Sequence, residues 1–465
     1  MIQRLNPELQ RNLWLECTPL RLVAAPLLGA LVLLLIIAGG GGWQSDVFET
    51  AHAILLIAVA FWGARVSADA VAGEIRDRTW DQQRISGLGP MAMTAGKVFG
   101  APSYVWVIVA LCLAAQALAL LHYGDGWISG SETAFGFASG WGAMLAEIAG
   151  ALFTFCTAFF LSLLALNGQD RARSFDVTLF QFAAVAAGVT LIAVVSANHY
   201  ATDHIAVWWG LRLGALPAVT LSLLVFALWA FYGGYHQMRR AFAMRTNGLP
   251  WIAFLVFLGV FAAGWALELK GFAALYAVAA AGYAAVLLEP HRAPVYRHWG
   301  RTLAQGRASA LLKAPSWVYA WIGAALLVGW ILAYERYAVL EQLLEFGAEV
   351  DVERGASLIG SVALAGLFFM LRDFGICVWA GLRASDGRGL WASLVILGVL
   401  YLLLPNLLDL AAGGDASALF WPTGVTSLVS AVLQAAVTAW LCARELGAAA
   451  SPDVKSLAKT AGSAT

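Results

Sequence analysis

The sequence predicts an all-α, polytopic membrane protein of about twelve transmembrane helices. Three observations carry that prediction. The chain is 61% hydrophobic and only 12% charged, whereas a soluble surface needs about a quarter of its residues charged. Apolar runs of about 20 residues, long enough to cross about 30 Å of hydrocarbon, recur from end to end. Lys and Arg also gather in alternate connecting segments, as in a chain threaded back and forth through a bilayer.

The first element is a short helix lying flat on the membrane. Asn6-Pro7-Glu8 is a start signal, with Asn as N-cap, Pro at the first helical position and Glu favoured by the helix dipole. Leu9, Leu13, Trp14 and Cys17 fall on one face, with Glu8, Arg11, Asn12 and Glu16 elsewhere, until Pro19 interrupts. Apolar runs follow near 21–39, 50–66, 99–121, 143–166, 176–197, 210–232, 250–267, 271–288, 317–334, 356–376, 391–410 and 419–441. The third to fifth are rich in Ala, Gly and small polar residues, as helices packed against helices tend to be.

With the N-terminus inside, 24 of the 28 Lys and Arg fall in inside segments; Arg212, Lys270, Arg336 and Arg354 fall outside. That asymmetry sets both termini on the cytoplasmic side. The outside segments are poor in charge except 335–355, where Glu341 and Glu345 with Leu340, Leu343 and Leu344 suggest a short amphipathic surface helix.

The segment between the second and third crossings is the most specific. Arg65/Asp69 and Glu74/Arg78 stand at i,i+4 spacing, so the second helix is expected to continue beyond the membrane. Thr79-x-x-Gln82 fits a capping box, so a new short helix should begin at Trp80. Gly87-Leu88-Gly89 should end it, and Pro90 can open the approach to the third crossing. Two readings stand for Glu74, Arg76, Arg78, Thr79, Trp80, Arg84 and Lys97: a solvated basic loop, or a rigid lever that receives force from a partner protein.

At these residues the chain resembles the membrane subunit (permease) of ABC transporters of the ABC-2 exporter class. That family carries an N-terminal interfacial helix and a second crossing extended into the cytoplasm. It then has an E-x-x-x-[RK]-[GT]-T stretch, a Pro-centred break and Gly-Lys at the third crossing. Glu74, Arg78, Thr79, Pro90, Gly96 and Lys97 match, although the family usually places its break earlier. The resemblance covers roughly residues 1–105. It implies an exporter permease in a bacterial cytoplasmic membrane, driven by a separate ABC-type ATPase in two copies, which would hold the ATP and Mg. Two six-helix halves are then expected, 1–248 and 249–447, with a cytoplasmic tail at 448–465. A short repeat agrees in placement: Lys97-x-x-x-Ala-Pro-Ser-Tyr-Val and Lys313-Ala-Pro-Ser-Trp-Val.

Other classes find less support in the residues. Gly89 to Val98 has six residues between its glycines and no Ser or Thr after Lys97, so it is not a phosphate loop. No enzyme activity of its own is expected. The seven histidines form no HExxH, and Cys17, Cys112, Cys156, Cys377 and Cys442 have no metal-ligand spacing, so no metal or bound cofactor is expected. A net charge of zero argues against nucleic acid. The alternative is a 12-helix, ion-coupled secondary transporter, which needs charged groups inside the membrane. Candidates are Glu147, Arg212, Arg372/Asp373 and Asp409. By the expected boundaries all lie toward helix ends, where anchoring at the interface explains them; Glu147 is open between anchoring and an intramembrane polar site.

The charge asymmetry gives a topology that can be measured. A membrane-impermeant thiol reagent added outside should label Glu345→Cys and leave Lys455→Cys unlabelled; the opposite pattern would invert the topology.

Overall fold

The computed structural model describes residues 6–39, 45–123, 140–166, 177–201, 206–244, 246–267, 269–289, 291–306, 309–335, 352–383, 389–412 and 419–448. Among the described residues ten helices are long and apolar enough to cross a membrane. The chain is an integral membrane protein. An eleventh span arises if Pro7–Glu16 and Pro19–Val32, bent by 61°, count together, and Leu249–Trp265 is apolar but only 17 residues long. The expected surface helix around Glu341 and Glu345, the basic residues Arg171 and Arg173, and the tail beyond Ala448 lie outside the described residues. The chain divides into two compact units on either side of Thr246 and Asn247.

In unit 1, α1 (Pro7–Glu16) starts as its sequence signal predicts, with the Asn6 side chain accepting the Glu8 N–H at 3.0 Å and Pro7 in the first turn. Pro19 restarts the chain as α2 (Pro19–Ala38). Next come α3 (Ser45–Ile57), a π-helical stretch (Ala58–Gly63) and α4 (Ala64–Arg76), which run as one helix. Its 31-residue span, Asp46–Arg76, is about 46 Å long at 1.5 Å per residue. The hydrocarbon is about 30 Å thick, so one end projects beyond it. The π-helical stretch ends at Gly63, where an added Cβ would lie 2.1 Å from the Phe155 ring.

The unit continues through α5 (Trp80–Arg84), α6 (Pro90–Gly100), α7 (Ser103–Tyr123), α8 (Gly140–Leu166) and α9 (Val177–Ala201). Helix α8 is its centre, burying Phe153, Phe155 and Phe159 among α4, α9 and α10 (Ala215–Ala241). Two boundaries differ from expectation. The third crossing begins at Ser103 and not at 99, because Pro102 cannot donate a backbone N–H and Ala101-Pro102 forms a turn that separates it from α6. Residues 210–213, expected as helix, belong to a hairpin of β1 (Ala206–Trp208) and β2 (Leu211–Leu213). Its turn needs positive φ at Trp209 (48°) and Gly210 (80°), the geometry that matches strand twist. Arg212 therefore stands on a strand.

Unit 2 contains α11 (Leu249–Trp265), α12 (Lys270–Leu288), α13 (Ala293–Ala304), α14 (Ser309–Leu312) and α15 (Ser316–Trp330), the last prolonged by a π-helical turn (Ile331–Glu335). Then follow α16 (Val352–Arg383), α17 (Gly389–Gly398), a π-helical turn (Val399–Leu403), α18 (Leu404–Ala412) and α19 (Val425–Ala448). The turn before α18 adjoins Pro405, which cannot bond back to the preceding turn. Helix α16 runs past the expected end at 376 to Arg383. Arg372 and Asp373 are thus in its interior, not at an interface.

Helices α12 and α15 are antiparallel and cap each other. Glu289, just past α12, accepts from the Ser316 N–H at 3.1 Å and the Ser316 hydroxyl at 2.8 Å. Glu335, at the end of the α15 segment, accepts from the Gly271 N–H at 2.7 Å. Each carboxylate thus sits on the positive end of its neighbour's dipole and satisfies donors that hydrocarbon would leave unpaired. In the connector between them, His291 donates from Nε2 to the Val286 carbonyl and accepts the Tyr296 hydroxyl at Nδ1, both at 2.8 Å. Burial holds its pKa below the ordinary imidazole value, so it is neutral there.

The reciprocal caps predict that Glu289→Ala destabilises the protein by about 1–2 kcal/mol, as for a lost N-cap. The Arg383–Glu445 pair is half-exposed, so Glu445→Ala should cost less than about 1 kcal/mol. Detergent-solubilised unfolding of the two variants should separate them in that order.

Candidate functional site

The site begins with two glycines. Gly96 and Gly100, one turn apart on α6, face α1. A Cβ at Gly96 would lie 2.5 Å from the Glu8 Cβ, and one at Gly100 would lie 2.8 Å from the Asn12 Cβ. Only glycine lets the two backbones approach so closely. The Asn12 side-chain amide donates to the Gly96 carbonyl at 3.1 Å, and that of Asn6 to the Ala92 carbonyl.

This approach lays the Glu8 carboxylate over Lys97. Lys97 is 1% exposed, with Nζ 3.0 Å from Glu8 and 2.5 Å from Glu74. Arg11 bridges the same two carboxylates at 3.1 and 3.0 Å, and the Gln83 amide donates to Glu74. Two cations and two carboxylates balance, so the cluster buries no net charge. An ion pair at the surface is worth about 0–1 kcal/mol, but a buried charge stripped of its partner costs about 3–5 kcal/mol. Lys97 can therefore be buried only if α1, α4 and α6 all arrive together. Through Gln83, α5 joins them.

The way α5 is hung differs from the sequence expectation. Helix α4 ends with the Thr79 N–H on the Glu74 carbonyl (2.9 Å) and the Arg78 N–H on the Ile75 carbonyl (3.2 Å). Arg78 holds φ at 60°, in the left-handed position where such a helix end usually has glycine. The Thr79 hydroxyl donates back to the Glu74 carbonyl at 3.3 Å, and Thr79 does not cap α5. Its backbone is helical (φ −94°, ψ −13°), whereas a capping residue is extended. The expected Glu74–Arg78 and Arg65–Asp69 pairs are replaced as well: Glu74 turns inward to Lys97, and Asp69 binds Arg76 at 2.5 Å.

Among the seven residues singled out from the sequence, Glu74 and Lys97 meet directly. Trp80 joins them half-buried, its ring centroid 5.8 Å from Lys97 Nζ and 6.2 Å from the Phe242 ring. Thr79 completes the α4 terminus. Arg76, Arg78 and Arg84 remain exposed. Lys97 is therefore an internal tie and presents nothing to a partner. The tip of α5 is the outward surface, where Ile85 is 84% exposed beside Asp81 and Arg84. A groove of about 380 Å³ between α1 and α5 is lined by Pro7, Arg11, Thr79, Gln82, Ser86 and Leu88, among others.

Each unit also holds a buried polar cluster within its spans. In unit 1, Glu147 receives the Gln116 amide at 3.1 and 3.0 Å and lies 2.5 Å from His52 Nδ1. Glu147 is thus inside the helix packing. In unit 2, Arg372 and Asp373, both 1% exposed, pair at 2.7 Å. Asp373 accepts the hydroxyls of Tyr283 and Tyr401 at 2.7 Å, and Arg372 donates to Gln434 at 2.7 Å. Asp409 sits on α18. Among the described residues, no group of His, Cys, Asp and Glu could hold a metal ion.

Glu8, Arg11, Gln83, His52 and Gln116 were not legible as site residues. The polar face of α1 looks solvated in sequence; it is in fact the face that packs. The pairing of Glu8 and Asn12 with Gly96 and Gly100, both at four-residue spacing, was the available signal. Compared with protein-family models, curated proteins and solved structures, the chain matches none of them.

The cluster predicts a non-additive mutation series. Lys97→Met leaves Glu8 and Glu74 with the half-exposed Arg11 as their one shared cation and should cost about 3–5 kcal/mol. Adding Glu8→Gln and Glu74→Gln removes the stranded charges and should restore most of that loss, measured by unfolding of the purified chain.

Proposed function

We propose that this chain is the membrane permease of an ATP-driven transporter, similar to the ABC-2 exporter class, and works with a separate ABC-type ATPase. The observation that carries the reading is the suspension of α5. A short helix with an exposed Ile85 and a charged tip is tied, through Gln83, Glu74, Lys97 and Glu8, to α1, α4 and α6 at once. A push on that tip would move the ends of two membrane helices and the flat N-terminal helix together. A solvated loop needs no such anchorage. On this reading the α5 end faces the cytoplasm of a bacterial cell, both termini lie there, and the two units act as six-helix halves over two ATPase copies. ATP and Mg belong to those partners.

Trp80 then serves as the inner anchor of the lever and Ile85 as its contact, with Arg84 and Asp81 giving direction. A second reading, an ion-coupled secondary transporter, draws support from the buried His52–Glu147 pair, because titratable groups inside a membrane usually serve transport.

Two substitutions test the lever. Ile85→Asp should weaken co-purification of the ATPase by about 2 kcal/mol or more, as for a hot-spot contact, and should abolish its substrate-stimulated hydrolysis. Trp80→Ala should leave the chain inserted and folded yet uncouple hydrolysis. Unchanged capture and hydrolysis in both variants would reject the lever, and ATP hydrolysis by the purified chain alone would reject the separate-ATPase reading.

A further inference from the structure

We propose that His52, Gln116 and Glu147 form a proton-binding site inside the membrane region of unit 1. His52, Gln116 and Glu147 lie in three membrane-spanning helices, within Asp46–Arg76, Ser103–His122 and Gly140–Leu164, and meet side chain to side chain. None is held there by helix propensity. The Glu147 side chain is 4% exposed and that of His52 31%, so the carboxylate is enclosed while the ring keeps a face outside the packing.

The contacts decide which particle can enter. Both Glu147 oxygens already accept from the Gln116 amide, and one also meets His52 Nδ1. The carboxylate faces side-chain donors, which leaves no side for a metal ion and places one exchangeable proton on the line between His52 Nδ1 and Glu147 Oε1. The amide orientation follows from the chemistry, since turning Gln116 over would set oxygen against carboxylate. It leaves the Gln116 Oε1 buried without a hydrogen-bond partner. A buried acceptor left open is costly, so it is the carboxylate that holds the amide in this orientation.

The contrast with unit 2 sharpens the inference. Arg372 keeps its charge at every physiological pH and stands beside Asp373 as a fixed cation. The unit 1 pair has no fixed charge. With one proton shared between His52 Nδ1 and Glu147 Oε1 beyond the imidazole's own, the pair is neutral; without it, the pair carries one negative charge. No bond changes except N–H and O–H, and the proton enters from water and returns there. Other titratable groups on the packed elements are Cys112, one turn from Gln116 on α7, with Asp46, Glu49 and His122 toward the same helix ends, and Arg212 on the hairpin. The charges of α4 begin beyond Gly63, which packs on Phe155, and those of α10 beyond Gly234, which packs on Phe159. Both contacts are at least eight residues along α8 from Glu147.

The site goes beyond the permease reading and is tested without ATP or a partner. Infrared difference spectra of the purified chain in lipid nanodiscs, taken between about pH 4 and pH 9, bracket ordinary carboxyl and imidazole titration. In the wild type, a carboxyl band and an imidazole ring band should change together. Glu147→Gln should lose the carboxyl change and alter the ring change. His52→Asn should lose the ring change and move the carboxyl change along the pH axis. His122→Asn should keep the coupled pair of bands. If Glu147→Gln does not accumulate in the membrane, Glu147→Asp gives the same readout through a displaced carboxyl band. Overturning results are bands that titrate independently of one another, or wild-type spectra identical to those of Glu147→Gln.

Discussion

Lys97, fully buried between Glu8 and Glu74, is the interaction on which the arrangement of unit 1's projecting end depends. An ammonium in that position has no water to fall back on, so both carboxylates must be in place before the helix carrying it can settle. One carboxylate comes from the N-terminal helix and the other from the far end of a 31-residue span. The cation comes from the helix that leads into the next crossing. Three remote pieces of chain are thereby made to agree on one geometry. The short helix at Trp80 inherits its position from that agreement, because five residues have no helical stability of their own.

The bilayer as solvent explains the remaining polar features. Hydrocarbon cannot satisfy a helix end, so α12 and α15 satisfy each other through Glu289 and Glu335. It also supplies no hydrophobic drive between helices, so packing relies on close approach. Gly96, Gly100 and Gly63 supply the room, and Phe155 fills the space left at the π-helical stretch. The exposed Leu, Val and Trp side chains along the spans then face lipid, where their exposure carries no penalty.

The two buried polar clusters show how similar placement can serve different ends. Arg372 and Asp373 with Tyr283, Tyr401 and Gln434 form a network built around a fixed cation. It specifies how α12, α16, α19 and the π-helical turn after α17 pack, and the long side chain of Arg372 fills space against Phe369 and Tyr401. His52, Gln116 and Glu147 join three helices just as firmly but from groups that can gain or lose a proton. The proposed lever at one end of unit 1 and the proposed proton site within it would be two separate places where an outside event acts on the same helices.

Much of this protein was determined locally. Hydropathy marks ten of the twelve expected spans among the described residues, because burial in lipid needs about 20 apolar residues in a row. Asn6-Pro7 sets the start of α1 and Pro90 begins the approach to α7; each is a property of a few adjacent residues. The hairpin at 206–213 and the length of α16 were not legible, since both depend on turn geometry and packing that hydropathy cannot register. Above all, the sequence suggests that Glu74 pairs with Arg78 four residues away, whereas tertiary structure pairs it with Lys97 and Arg11. The nearby partner would have been solvated and worth little; the distant one is buried, and a buried charge outweighs a short-range preference. That choice needs α1, α4 and α6 in the same place, and no stretch of sequence contains all three.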